Sequence, residues 1–310
     1  MTIYKFLFTQ VACTTLAMLC ALGVLFRRGV SFEIKNTSFN KQLFSAAIPF
    51  AIIMLLMSVH YRLDGFLLER MHRNGAYEAG IYAAAYRLLD ASSQVVYLFA
   101  LFLLPYVAKQ WSEQKDIQTV ILESRHLVLM FSITIVIVVL FLAPWIQRVL
   151  YHHNDMKAFA VLQWCMPALI GYSLVHIYGT VMTATGQILQ FCYITLAAIV
   201  INIVLNFFLI PSFGAKGSCI AALTSQWFCG ITAMLYTKQK TGVNIHFRSL
   251  LIYIFTAAFL SISLYWGNNL QINKWLLITG AGMITLLLMI VTKLFSIKMW
   301  IASLRRTTLT

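Results

Sequence analysis

Two pairs of opposite charges stand in or at the rim of apolar runs in this chain: Arg62 with Asp64, and Arg87 with Asp90. An ionisable group at the centre of a membrane span costs roughly 2.5–3.5 kcal/mol or more, so each is a functional candidate by default. Around the second pair, Tyr82, Tyr86, Ser93, Gln94 and Tyr97 recur at three- and four-residue steps, which places them with Asp90 on one helical face. A stripe of this kind predicts a water-filled cavity. Arginine there suits a phosphate, because its planar fork makes two hydrogen bonds to neighbouring oxygens and keeps its charge at any pH. The competing reading is structural: Arg87 is three residues from Asp90, close enough to pair within the helix, and Arg62 stands as close to Asp64 in sequence.

Other polar groups point less sharply. Tyr172, His176, Thr180 and Thr183 share one side of a later span, Asn202 and Asn206 sit one turn apart, and Ser218, Ser225, Cys229 and Thr232 give a small-residue face. Amides, hydroxyls and small side chains are the usual glue of helix pairs in lipid, so these read as packing groups. His152, His153 and Asp155 occur once, at a loop rim without further ligands, and read as solvated. The six cysteines all fall in apolar runs with no CxxC pair, which predicts neither a disulfide frame nor a metal site. No cofactor is expected, and no nucleophile constellation marks an enzyme.

The elements that must hold these residues follow from composition. Hydrophobic residues make up 61% of the 310 and charged ones 10%, against about a quarter charged in a soluble domain. Apolar runs of about 20 residues recur along the chain and are continuous rather than alternating, which predicts membrane-spanning helices and not barrel strands. The fold class is an all-α polytopic bundle with spans at about 6–26, 42–61, 81–107, 127–147, 160–185, 190–210, 217–237, 250–267 and 275–297. The longest predicted loops are 62–80 and 109–125, neither able to fold as a catalytic domain. The net charge of +14 is scattered over short loops, so it reads as a topology signal facing anionic lipid and not as a nucleic-acid patch. Lys and Arg favour the loops on one side by roughly two to one, which predicts N-terminus out and C-terminus cytoplasmic.

Several stretches carry a resemblance. Ala47-Ile48-Pro49, Tyr61-Arg62-Leu63-Asp64, Glu78 through Leu88 and Leu104-Pro105 resemble the bacterial polysaccharide flippases, the O-antigen and exopolysaccharide exporters. Asn202 through Pro211, followed by Gly214 through Ser218, is similar to the same family's turn between two later helices. The resemblance implies the superfamily that also holds the multidrug and toxin extrusion transporters, with two six-helix lobes around a central cavity. It implies transport of an undecaprenyl-diphosphate-linked oligosaccharide across the bacterial inner membrane by alternating access. On that reading Arg62 and Arg87 are the cavity cations, Tyr82, Tyr86 and Gln94 face the sugar, and Asp64 and Asp90 complete the lining. Residues 1–40 become the last helix of an incomplete first lobe with the inter-lobe loop, 41–240 the second lobe, and 241–310 two trailing helices and a tail. About five helices would be absent, so the expected partners are the bilayer, the lipid-linked oligosaccharide and a second lobe or second copy. The rival functions are a non-transporting remnant or half-transporter, a membrane glycan polymerase or ligase, which would need a long outer loop, and a drug exporter, which would favour acidic groups.

Overall fold

In the computed structural model, which describes residues 3–27, 29, 37–152, 155–243 and 247–292, every regular element among those residues is a helix. The order is α1 (Ile3–Arg27), α2 (Thr37–Met71), α3 (Gly75–Ser112), α4 (Gln118–Tyr151), α5 (Met156–Cys165), α6 (Ala168–Ala184), α7 (Ile188–Phe213), α8 (Ala215–Thr241), α9 (Phe247–Asn269) and α10 (Lys274–Val291). Taking α5 and α6 as one span, nine segments among the described residues are long and apolar enough to cross a membrane, as expected. Helices are the form that satisfies every backbone group without water, which is why the apolar runs adopt them.

Proline shows the same constraint. Pro49, Pro105, Pro144 and Pro211 all lie inside helices, and Pro167 separates α5 from α6. There the indole Nε1 of Trp227 donates to the carbonyl of Pro167 at 3.2 Å, so a neighbouring helix supplies the hydrogen bond at the break.

The span ends differ from the sequence-based ones. The stretch 62–80 is not a loop: α2 runs to Met71 and α3 starts at Gly75. Likewise α4 starts at Gln118, so Arg125 lies inside a helix and is buried, not in a loop. At about 1.5 Å per residue, helices of 35 and 38 residues outrun a ~30 Å hydrocarbon core, and charged residues continue the helix where hydropathy stops.

Residues 1–48 form one compact unit and 49–310 another. In the second, α6 and α8 approach closest. A Cβ on Gly171 would stand 2.9 Å from the Gln226 carbonyl carbon, and one on Gly230 would stand 2.9 Å from the Gly171 oxygen. Small residues let two backbones meet in this way. Gly171→Val should therefore push α6 off α8 and cost about 1–3 kcal/mol, lowering the melting temperature and the monodisperse fraction in detergent. Ala91→Val, on an exposed surface, is the control. Apolar layers fill the rest, one around Ile121, Tyr178 and Ala233, another around Leu89, Leu162, Tyr172 and Cys219. Leu260, Leu264, Leu277 and Ala281 fasten α9 and α10 onto Val138 and Leu142 of α4. The outer surface is studded with exposed Phe102, Phe207, Phe208 and Met283, as a lipid-facing surface requires.

Candidate functional site

The third helix divides its polar stripe between two environments. At roughly 100° per residue, Tyr82, Ser93 and Tyr86 point within about 40° of one another, whereas Gln94 and Arg87 lie about 120–140° from Tyr82, with Asp90 between. The first three are buried, Asp90 is half-buried, and Gln94, Arg87 and Tyr97 are exposed. Seven residues that share a broad face in sequence thus split into a buried knot and an exposed strip.

The knot centres on Asp64, which is 2% exposed. Its Oδ1 accepts from Asn206 Nδ2 at 2.7 Å and from Asn202 Nδ2 at 2.9 Å, and its Oδ2 accepts from the Tyr82 hydroxyl at 3.0 Å. Asn206 Oδ1 in turn accepts from Ser218 at 3.0 Å. Ser225 is shared between Asn202 and the ring of His60, which also meets Gln226. The network joins α2, α3, α7 and α8. Around it Tyr82 stacks on Tyr86, the Tyr86 and Tyr172 hydroxyls bond at 3.0 Å, and the Tyr61 ring tilts against Tyr172. The hydroxyls of Tyr82 and Tyr86, expected to face the sugar, bond to Asp64 and Tyr172 inside the unit. The expected Arg62–Asp64 and Arg87–Asp90 pairs do not form. Ion pairs formed elsewhere include Lys115–Glu113 and Lys157–Glu78. Amide and hydroxyl donors have replaced the arginine as partners of Asp64, which leaves Arg62 exposed and uncommitted to it.

The exposed strip on α3 therefore holds Arg87, Gln94 and Tyr97, and Tyr97 meets His176 of α6 ring to ring at 5.6 Å, while Arg62, about 160° round α2 from Asp64, is exposed on that helix. Two guanidinium groups on helix faces within spans are costly against hydrocarbon, so this strip needs water or a polar partner.

Asn202, Asn206 and Ser218 read in the sequence as helix glue; the structure adds that Asn202 and Asn206 converge on one carboxylate, with Ser218 bonded behind Asn206. Their i, i+4 spacing was the available signal. At one helix end, Glu78 accepts from the Ala215 backbone N–H at 2.9 Å and pairs with Lys157 at 3.4 Å. It thereby caps α8 just after Gly214, whose φ of 55° closes the turn. Two stretches that carried the sequence resemblance, 78–88 and 214–218, thus touch directly. Tyr77 donates to Asp155 beside them, and His153 lies outside the described residues.

No group of three or more His, Cys, Asp or Glu able to hold a metal occurs among the described residues. The knot offers instead one carboxylate with amide and hydroxyl oxygens. That set suits a proton or a hard alkali cation rather than a transition metal. Binding a cation would require Asn202 and Asn206 to turn their carbonyls towards it.

Residues 79–287 match the model of the family described as lipid II flippase MurJ. Among solved structures, the fold is similar to the lipid II flippase MurJ in an inward closed conformation, with a TM-score of 0.64 and 14% identity over 84% of this chain and 55% of that one. It is also similar to an outward-facing multidrug resistance MATE family transporter of the MOP superfamily, with a TM-score of 0.50 and 17% identity over 72% and 54%. At these identities the likeness is one of fold, and this chain spans about half the length of either transporter. No curated protein sequence matches. The family matched is that of lipid II flippases rather than polysaccharide exporters, and both structural neighbours are described as a flippase or a transporter.

Proposed function

The chain belongs to the lipid II flippase MurJ family, and on that premise we propose that it forms one lobe of an inner-membrane flippase for a lipid-linked saccharide. The observation that carries this is the exposed strip of Arg87, Gln94 and Tyr97 on the otherwise apolar α3. A strip of that kind supplies half the wall of a cavity, and its guanidinium fork suits a diphosphate linkage, with Arg62 a second cation on α2. The other half comes from a second six-helix lobe, or from a second copy of this chain, packed over the strip. Residues 41–240 form the lobe and 241–310 trail it, with the N-terminus outside and the C-terminus in the cytoplasm.

The family match favours a lipid II-like cargo over the surface-polysaccharide intermediate implied by the motifs. Asp64 and its amides take the coupling role in this scheme. A proton or alkali cation exchanging at a carboxylate shared by four helices changes which helices it holds together. The knot is thus a bistable element whose occupancy biases the two faces of the cavity.

Complementation separates the cargoes. The chain, expressed to equal membrane levels, is expected to restore growth to a strain depleted of its lipid II flippase and not surface glycan to a strain lacking its O-antigen flippase. Restoration of the second alone would reassign the cargo to surface polysaccharide. Restoration of neither would contradict transport by this chain unaided.

A further inference from the structure

One buried cation belongs to neither the strip nor the knot. Arg125, on the third turn of α4, is 2% exposed, yet no carboxylate among the described residues pairs with it. Its Nη1 donates to the Tyr178 hydroxyl at 3.4 Å, and the Tyr253 hydroxyl, engaged with His126, lies beside the guanidinium. Nε and Nη2 have no hydrogen-bond partner among the described residues.

Which two donors are free matters. Nε–H and the adjacent Nη2–H form the side edge of the guanidinium, two near-parallel N–H bonds set to meet two oxygens of one anion. The tyrosine has taken the opposite end and left that fork whole. A buried charge with no counter-charge is strongly destabilising, by an amount that a bound oxyanion would remove. Two more buried hydroxyls without a partner, Ser124 beside it in sequence and Thr237 near the end of α8, belong to the same end of the bundle. Lys238 and Lys240 close α8 at that end and Arg248 opens α9 there, all exposed, which raises the local concentration of anions.

The geometry points to a phosphate-binding site at Arg125, between α4, α6 and α9, separate from the strip and filled by a phosphate group of a membrane lipid or by free phosphate. It does not rest on the flippase reading, since neither Arg62 nor Arg87 contributes. Its occupant fastens α9 to α4 and α6 through Arg125, Tyr178 and Tyr253, and so sets how firmly the two trailing helices are held.

The test uses the whole chain, purified in dodecyl maltoside, a phosphate-free detergent, with thermal melting and native mass spectrometry as readouts. Phosphatidylglycerol is added in one arm and inorganic phosphate in the other. Wild type is expected to rise by several degrees in at least one arm and to retain one bound phosphate-bearing species. Arg125→Met is expected to melt no lower than wild type in dodecyl maltoside alone and to lose the response to both additives. Arg125→Lys keeps the charge without the fork and should show a reduced response. A response to phosphatidylglycerol only assigns a lipid headgroup; a response to inorganic phosphate assigns the free anion. No response in wild type, or an equal response in Arg125→Met, overturns the site.

Discussion

Asp64→Leu should destabilise the protein by roughly 2–5 kcal/mol, because it strips the acceptor from three donors at once. Hydrogen bonds between helices in lipid are worth about 0.6–1.7 kcal/mol each, and Tyr82, Asn202 and Asn206 all end on this one carboxylate. No helix approaches α2 as closely as α6 and α8 approach each other, so the side-chain knot is a main fastening of α2. Reversible unfolding in detergent measures the loss. A double-mutant cycle with Asn206→Ala tests its origin. The combined effect should fall well short of the sum, since both substitutions remove the same bond. Additive losses would show that Asp64 and Asn206 act independently and that the knot is not a unit.

The second large effect is on transport rather than folding. Arg62→Ala and Arg87→Ala should each slow flipping of a diphosphate-linked lipid by about tenfold. A hydrogen bond to a charged group is worth about 1.5–3 kcal/mol, and one tenfold step corresponds to about 1.4 kcal/mol. The double substitution should approach a hundredfold loss with the melting temperature unchanged, because both side chains are exposed and neither is in an ion pair. Lysine at either site should rescue only partly, since it carries the charge without the fork. Flipping at wild-type rate in the double variant removes the arginines from the cargo path. A fall in stability that matches the fall in rate gives them a structural role instead.

How far the sequence alone reached depends on which physical signal each feature leaves. Nine spans are legible because twenty apolar residues have one stable answer in lipid. The turn at Gly214 is legible because a tight reversal needs glycine. Helix ends are not, since hydropathy stops at the core while α2 continues through Arg62 and Asp64 to Met71. That error mattered at Arg125, which counted as a loop cation and is one of the most deeply buried side chains. Within the site, periodicity placed Tyr82, Tyr86, Asp90 and Gln94 on one broad face correctly. It could not say where along that face burial gives way to exposure, because that boundary is drawn by α6, α7 and α8. For the same reason Asp64 looked like a partner for Arg62, two residues away. Its actual partners lie 18, 138 and 142 residues downstream, and only the fold brings them near.

The central claim is that Arg87 and Gln94 face water within the membrane, and cysteine labelling in intact cells tests it most directly. In a background with all six native cysteines replaced, Gln94→Cys and Arg87→Cys should react readily with a small water-soluble maleimide. Phe208→Cys, 75% exposed on the apolar face of α7, should not. The reason is that the reacting thiolate forms only where water reaches. Protection of Gln94→Cys and Arg87→Cys by added lipid-linked diphosphate would tie the cavity to its cargo. Equal and slow labelling at all three positions would mean that the strip faces lipid or is sealed, and would contradict the account.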